Sequence, residues 1–197
     1  YAMSKYDTER YSIILGDAYH IPTVALRFFN VMGEGQNLGN PYTGVLATFA
    51  CRVLNGMNPL VYEDGQQSRD FIHVSDIARA VVMATELPDL TGVFNVSTGT
   101  RTTVVNLAQQ WCALAASRGL CHVEPEVVEQ YRTGDVRHCY GDSTAFHKAT
   151  RWEPHITVPD GLKRVAAWIL TNHLHEQVPL DRLDEARAEL RQHGLNG

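Results

Sequence analysis

Short apolar runs rich in β-forming residues alternate along this chain with longer segments in which apolar positions recur at helical spacing. Residues 23–29, for example, are mostly apolar and too few for a helix, which is typical of a parallel strand buried on both faces. Pro22 cannot continue the helix that precedes this run. The pattern predicts strands at 23–29, 60–62, 71–74 and 93–96, and helices at 1–20, 43–54, 104–116, 158–172 and from Ser75 onward.

The alternation of strands and helices through short connections indicates an α/β architecture with a parallel component. Apolar spacing predicts which helical residues face the core. These are Ile77, Ala80, Val81 and Ala84 on the helix after Ser75, and Leu162 and Trp168 on the last one. The glycine-rich stretch from Gly33 to Pro41 is predicted to be a long irregular loop, and residues 63–68 a polar loop between two strands.

Composition and charge limit the kinds of partner that we expect this chain to bind. The chain is 44% hydrophobic and 20% charged, as is ordinary for a globular protein, and its net charge of -5 gives no general attraction to nucleic acid or acidic membranes. The longest apolar runs are too short to span a bilayer. We therefore expect neither a nucleic acid nor a membrane as partner. The scattered cysteines predict reduced thiols and a cytoplasmic location; they are Cys51, Cys112, Cys121 and Cys139.

Tyr1 is the first residue of the chain, and Lys5 follows four residues later. This spacing puts both side chains on one face of the predicted first helix. A cation beside a tyrosine stabilises the phenolate and lowers its pKa, which makes the pair a candidate general base. Because a candidate catalytic residue stands first and no initiator Met precedes it, we expect the chain to be the C-terminal part of a longer protein. No metal site is predicted, since His173 and His175 have no third ligand nearby.

Further motifs follow in order, and together with Tyr1-x-x-x-Lys5 they resemble one family. They are Arg27-Phe28-Phe29-Asn30-Val31-x-Gly33, Asp64-Gly65-x-x-x-Arg69-Asp70-Phe71-x-x-Val74-x-Asp76, Phe94-Asn95-Val96-Ser97-Thr98-Gly99 and Arg132-x-Gly134-Asp135. The chain is similar to the extended short-chain dehydrogenase/reductases, specifically the NAD-dependent nucleotide-sugar epimerases and dehydratases. Residues 39–44 and 63–67 look closest to 4-epimerases of the UDP-glucose and dTDP-L-rhamnose kind.

This resemblance implies a fold and a set of roles. The fold would be the C-terminal part of a Rossmann-type doubly wound parallel sheet plus a smaller α/β substrate-binding domain. Residues 1–35 would end the NAD-binding domain, 36–178 would be mostly substrate-binding domain, and 179–197 a helical tail. Tyr1 would be the catalytic base and Lys5 its partner, and both would contact NAD with Phe28 and Phe29. The substrate residues would be Asn30, Gly44, Val45, Leu60, Tyr62, Arg69, Arg132 and Asp135.

Elementary chemistry supports several of these roles. Two arginines suit a diphosphate, because a guanidinium binds phosphate oxygens bidentately. An aspartate can accept hydrogen bonds from ribose hydroxyls, and Tyr62 offers a stacking face for a base. Local sequence also allows other interpretations. Arg69 could form a salt bridge with Asp70, Asn30 could be a turn residue, Phe28 and Phe29 could be core, and Tyr62 an ordinary strand residue.

The function that the resemblance implies is an NAD-dependent 4-epimerase of a UDP- or dTDP-hexose, acting through a 4-keto intermediate. A 4,6-dehydratase, a 4-keto reductase, or a non-catalytic sugar-nucleotide-binding or dimerisation module remain alternatives. The family's glycine-rich motif for the cofactor pyrophosphate is absent from these residues, so we expect the chain to be inactive by itself and NAD is not distinguished from NADP. The resemblance also implies a homodimer through the first helix.

Overall fold

The computed structural model describes residues 1–38, 44–128, 130 and 135–172. Five sequence predictions therefore lie wholly or partly outside the described residues: the end of the predicted loop at 39–41, the start of the second helix at Thr43, the site residue Arg132, the pair His173 and His175, and the tail at 179–197.

The predicted helices are confirmed to within a few residues. The first ends before Ile21 and Pro22, as expected of a proline that has no amide hydrogen to donate. A helix at Thr144–Thr150 was not predicted. No helix in the described part of the chain combines the length and the apolar character needed to cross a membrane. The bounds are α1 Ala2–Ala18, α2 Val45–Leu54, α3 Val74–Thr85, α4 Val104–Ser117, α5 Thr144–Thr150 and α6 Val158–Asn172.

Side chains just before α3 and α4 determine where these helices begin. The imidazole Nδ1 of His73 accepts a hydrogen bond from the Ser75 amide at 3.2 Å, and the Thr103 hydroxyl accepts one from the Asn106 amide at 3.3 Å. Each bond satisfies an amide that has no partner within the helix. At the C-terminal end of α2, Gly56 adopts a φ of +69°, which the tight turn after Asn55 requires.

Most strand pairs are parallel, as predicted. β1 pairs with β6 from Val24 opposite Gly92 to Phe28 opposite Val96. β2 pairs with β5 and β3 with β8, both in parallel, while β4 is antiparallel to β7 and parallel to β9. The bounds are β1 Val24–Phe28, β2 Asn30–Met32, β3 Leu60–Val61, β4 Ser68–Arg69, β5 Phe71–His73, β6 Gly92–Val96, β7 Thr102–Thr103, β8 Glu126–Val127 and β9 His138–Cys139.

Among the described residues, buried apolar side chains form two clusters. The larger joins α2, α4 and α6 and includes Phe71, whereas the smaller joins α3, α5 and β6 and includes Ile72. Successive side chains of a strand point to opposite faces, so β5 contributes one residue to each cluster. In the smaller cluster the Phe146 and Trp152 rings pack at 5.6 Å between centroids. The two cores therefore meet at a single short strand.

The local predictions for Val81 and Ser68 were wrong, and one strand was not predicted. Val81 is exposed rather than buried, because the described packing on α3 uses the face that carries Ile77 and Ala80. Residues 30–32 form β2, where no strand was predicted, since β5 supplies a parallel partner. Ser68 belongs to β4 instead of a polar loop. The last two differences arise from pairing between segments far apart in the chain.

We expect Val165→Ala on α6 to lower the free energy of unfolding of the full-length gene product by about 2 kcal/mol, because the substitution leaves a cavity in the larger cluster. The matched control is Val82→Ala on α3, whose side chain is exposed, and its expected change is within about 0.5 kcal/mol. Urea unfolding of both variants measures the difference. Equal costs at the two positions would contradict the burial assigned to α6.

Candidate active site

Tyr1 and Lys5 lie on one face of α1, as their spacing predicts. The Lys5 amide donates to the Tyr1 carbonyl at 3.0 Å, and the Lys5 ammonium lies 5.6 Å from the centroid of the Tyr1 ring. The tyrosine is 94% exposed, so its phenol is open to a ligand. The arrangement places a cation against the ring of an accessible tyrosine.

An ion pair attaches this helix to the first strand. Arg27 donates from Nε to Oε2 of Glu9 at 2.6 Å and from Nη2 to Oε1 at 2.7 Å. The hydrogen bond with Arg27 holds the pKa of Glu9 below its usual value, and the same bond raises the pKa of Arg27. Because Arg27 immediately precedes Phe28 at the end of β1, the pair relates the helix of Tyr1 to that strand end. Phe28 is exposed and Phe29 is half-buried, so neither is a fully buried core residue.

The second group of predicted residues surrounds β4 and β5. Asn30 donates its amide to the carbonyl of Asp70 at 2.9 Å, and β2 runs parallel to β5 from this point. Arg69 is the residue before Asp70, and its guanidinium donates to the Asp135 carboxylate at 2.8 Å. The second terminal nitrogen of Arg69 donates to the carbonyls of Ser68 and Arg137. The structure thus brings Asn30, Arg69 and Asp135 together.

The ion pair of Arg69 is not the salt bridge with Asp70 that the local sequence allowed. Its carboxylate partner is Asp135, 66 residues away, rather than the adjacent Asp70. Asp70 follows the last residue of β4, and its carboxylate accepts hydrogen bonds from the backbone amides of Thr98 and Gly99. Arg69 is only 15% exposed by its side chain and Asp135 is 45% exposed, so the carboxylate is the more accessible member of the pair.

The remaining predicted substrate residues lie on other elements. Gly44 precedes α2 with extended backbone, and Val45 begins the helix, where the first amides have no intrahelical partner. Amides at a helix start can bind a phosphate. Leu60 and Tyr62 are half-buried at β3 and just after it, and the Tyr62 carbonyl accepts a hydrogen bond from Gln67 at 2.7 Å.

Sequence reasoning missed a cluster of basic residues on β9 and before β7. Ser68 is fully buried, and its hydroxyl lies 2.9 Å from Nδ1 of His138 and 3.0 Å from Nε of Arg101. Loss of hydration lowers the pKa of His138, and the nearby Arg101 and Arg137 lower it further. Separations of 33 and 70 residues along the chain leave no local signal from which this contact could be predicted.

Arg137 is a second feature that the sequence did not reveal. It donates to Glu63 at 2.8 Å and to Asp64 at 2.6 Å, and its hydrogen bond holds the pKa of Asp64 below the usual value. The backbone of the same segment pairs with β4, where the Ser68 amide donates to the Arg137 carbonyl. These contacts attach the segment that carries Asp135 to the turn after Tyr62.

Another buried side chain, His73, lies close to the loop that follows β2. Its Nε2 is 3.1 Å from Oε2 of Glu34, which is ion-pair distance, although the two groups lack hydrogen-bond geometry. Burial lowers the pKa of His73, and Glu34 opposes that change. Within the described residues, no three His, Cys, Asp or Glu side chains are grouped so that they could hold a metal ion.

Comparison with known proteins relates this geometry to one family. Residues 1–97 match the model of the NAD dependent epimerase/dehydratase family. The chain is 31% identical over 173 residues to a putative UDP-glucose 4-epimerase of Methanocaldococcus jannaschii, covering 88% of the chain and 54% of that protein. It is 34% identical over 150 residues to a dTDP-L-rhamnose 4-epimerase of Burkholderia thailandensis, covering 75% of the chain and 40% of that protein.

A solved structure gives the same result. The UDP-N-acetylglucosamine 4-epimerase from Methanobrevibacter ruminantium, in complex with UDP-N-acetylmuramic acid, superposes with a TM-score of 0.77 at 32% identity. The match covers 87% of this chain and 53% of that one. The chain therefore spans about half the length of the relatives that it matches. Its fold is that of the corresponding part of a Rossmann-type epimerase. By sequence and by structure, the chain belongs to the NAD-dependent epimerase/dehydratase family of enzymes.

Proposed function

We propose that the chain carries the catalytic pair and the substrate-binding part of an NAD-dependent nucleotide-sugar 4-epimerase. The observation that carries this proposal is the accessible Tyr1 ring with the Lys5 ammonium 5.6 Å from its centroid. The named activities of the relatives from M. jannaschii and B. thailandensis support the choice of a 4-epimerase. The substrate would be a UDP- or dTDP-hexose.

In this mechanism Tyr1 acts as a general base. As phenolate it removes the proton of the sugar 4-hydroxyl, while the Lys5 cation stabilises the charge on the phenol oxygen. The resulting 4-keto sugar turns over in the site, and Tyr1 returns the proton when C4 is reduced from the other face. Bound NAD would accept the hydride from C4 and supply it again.

The residues at the end of β1 fit such a cofactor. Phe28 exposes an apolar ring at the carboxyl end of this parallel strand, where ligands of open α/β sheets bind, and the half-buried Phe29 follows it. The Lys5 ammonium lies at the start of α1 and would donate to ribose hydroxyls. We infer that Phe28, Phe29, Tyr1 and Lys5 form the cofactor side of the site.

The substrate side would hold the nucleotide diphosphate. Arg69 directly precedes Asp70, whose carbonyl accepts from the Asn30 amide, and Asn30 would bond the sugar. Gly44 and Val45 would offer amides at the start of α2, and Leu60 with Tyr62 would contact the base. Asp135 would bind the ribose, and Arg132 would be the second phosphate ligand, a role that rests on the Arg132-x-Gly134-Asp135 motif.

We also infer self-association through α1. Several large apolar side chains of this helix are exposed, including Tyr6, Tyr11, Ile14 and Leu15, and a second copy of the helix would cover them. A cytoplasmic location is proposed because all four cysteines are free thiols. The domain division at residues 35 and 178 likewise stays a prediction.

Product analysis tests the proposed reaction against its rivals. We expect the full-length gene product, given UDP-glucose or dTDP-hexoses, to change the configuration at C4 without a lasting 4-keto product. A stable 4-keto-6-deoxy sugar would indicate a dehydratase instead, and net reduction with consumption of cofactor would indicate a reductase. If the protein binds UDP and releases every nucleotide sugar unchanged, the non-catalytic binding module is the correct interpretation.

Tyr1→Phe should lower kcat by at least about 100-fold, because the variant lacks the hydroxyl that takes the substrate proton. Affinity for UDP should be unchanged, since the nucleotide binds elsewhere. Tyr19→Phe removes a hydroxyl from another exposed tyrosine just beyond the same helix and is the matched control. Steady-state kinetics and calorimetry with UDP measure both effects. Near-normal turnover by Tyr1→Phe would show that the general base is a different group.

Arg69→Ala should raise KM for the nucleotide sugar about tenfold or more, because one charge-assisted contact to the diphosphate contributes about 1.5–3 kcal/mol. Arg118→Ala, at an exposed arginine that ends α4, is the control and should leave KM within about twofold. Calorimetry with UDP and dTDP checks the assignment directly. Unchanged affinity in Arg69→Ala would reduce Arg69 to the structural partner of Asp135.

A further inference from the structure

The carboxylate of Asp70 is fully buried and accepts hydrogen bonds from donors far apart in the chain. Oδ1 accepts from the amide of Thr98 at 2.9 Å and from its hydroxyl at 2.7 Å. Oδ2 accepts from the amides of Gly99 at 2.8 Å and Gly141 at 3.3 Å. With donors directed at both oxygens, the ionised, acceptor-only form of the carboxylate matches its surroundings.

No basic side chain in the described part of the chain lies within ion-pair distance of Asp70. The adjacent arginine, Arg69, is paired with Asp135. Backbone amides therefore balance the buried charge of Asp70, and such bonds require a fixed arrangement of the segments that supply them. The carboxylate consequently specifies the relative positions of β5, the turn after β6 and the turn before α5.

Those segments contact three residues of the proposed site. The Asp70 carbonyl accepts a hydrogen bond from the Asn30 amide, and Asp70 directly follows Arg69 in the chain. Gly141 packs so closely that a Cβ there would lie 2.6 Å from the Phe29 ring and 2.5 Å from Ser97. The Asp70 carboxylate thus holds the segments that contact Phe29 on the cofactor side and Asn30 and Arg69 on the substrate side.

We propose that Asp70 is a positioning residue that sets Asn30 and Arg69 in the geometry needed for a nucleoside diphosphate ligand. The inference rests on the proposed function, because it assigns Asp70 a task in binding the same substrate. Asp70 itself is fully buried, so its carboxylate is not open to a ligand. Its effect is transmitted through the backbone of β5 and through the turns that its carboxylate holds.

Asp70→Asn is the variant that tests this role. If the Asn oxygen keeps the bonds to Thr98, its NH2 group faces the amides of Gly99 and Gly141, and donor opposes donor. The chain offers a matched control in Asp76, a second buried carboxylate six residues later. Asp76 likewise accepts from backbone amides, those of His155 and Ile156, and in addition forms an ion pair with Arg79 at 2.7 Å. It attaches the segment before α6 to the start of α3, away from Arg69.

The measurement is calorimetric titration of the full-length gene product with UDP, combined with thermal unfolding of each variant. Both substitutions should lower the melting temperature, because each opposes an NH2 group to backbone amides in a buried site, and Asp76→Asn also weakens the ion pair with Arg79. Only Asp70→Asn should weaken UDP binding, by about tenfold or more, while Asp76→Asn stays within about twofold. Equal affinities in the two variants, whether both unchanged or both reduced, would overturn the inference. Failure of the unmodified protein to bind UDP would instead overturn the proposed function.

A milder variant covers the case in which Asp70→Asn does not fold. Thr98→Val keeps the volume of the side chain and removes the hydroxyl that donates to Asp70 at 2.7 Å. UDP affinity should fall roughly threefold, and Thr98→Ser, which retains a hydroxyl, should restore it to within about 1.5-fold. If Thr98→Val binds UDP as tightly as the unmodified protein, the carboxylate contacts do not position the site.

Discussion

The structure depends on the three-residue strand β5, which must pack into both apolar clusters at once. β5 is buried at every position, and its alternation directs Phe71 into the larger apolar cluster and Ile72 into the smaller one. Buried polar groups occupy both ends: Asp70 precedes the strand, and His73 ends it and caps α3. Because a buried polar group is costly unless it is hydrogen-bonded, each of these side chains also fixes the backbone segments that supply its partners.

The positions of the functional residues follow from this constraint. Parallel pairing with β5 begins at Asn30, so the end of β1, with Phe28 and Phe29, lies directly before the strand that shares a ladder with β5. Arg69 stands on the opposite side of Asp70 in the sequence and enters a different ladder, between β7 and β9. Residues that would bind cofactor, sugar and diphosphate are therefore linked through the backbone: Phe29 precedes Asn30, whose amide donates to the carbonyl of Asp70, and Asp70 follows Arg69.

Local signals predicted those parts of the structure that depend on nearby residues. Pro22, Asn55-Gly56 and the spacing of apolar side chains marked the helices to within a few residues. The run at 23–29 forms a parallel strand, but its predicted burial on both faces was wrong, because Arg27 and Phe28 are exposed and the other strand residues only partly buried. β4, β7, β8 and β9 have two residues each and exist only through partners far along the chain, so no periodicity could predict them. The same applies to the site. The family motifs identified Arg69 and Asp135 separately, whereas their ion pair, the Arg137 contacts and the carboxylate of Asp70 bridge 28 to 74 residues.

The Arg69–Asp135 pair also bears on how an anionic ligand would enter the site. Arg69 is the more buried member and is held by the carbonyls of Ser68 and Arg137, while Asp135 is the more exposed member. An ion pair that is open to solvent contributes about 0–1 kcal/mol, and a charge-assisted bond to a phosphate contributes about 1.5–3 kcal/mol. A diphosphate would therefore displace the carboxylate rather than the guanidinium. On the proposed function, release from Arg69 would leave Asp135 available to accept from the ribose hydroxyls, so both side chains would be hydrogen-bonded to one ligand.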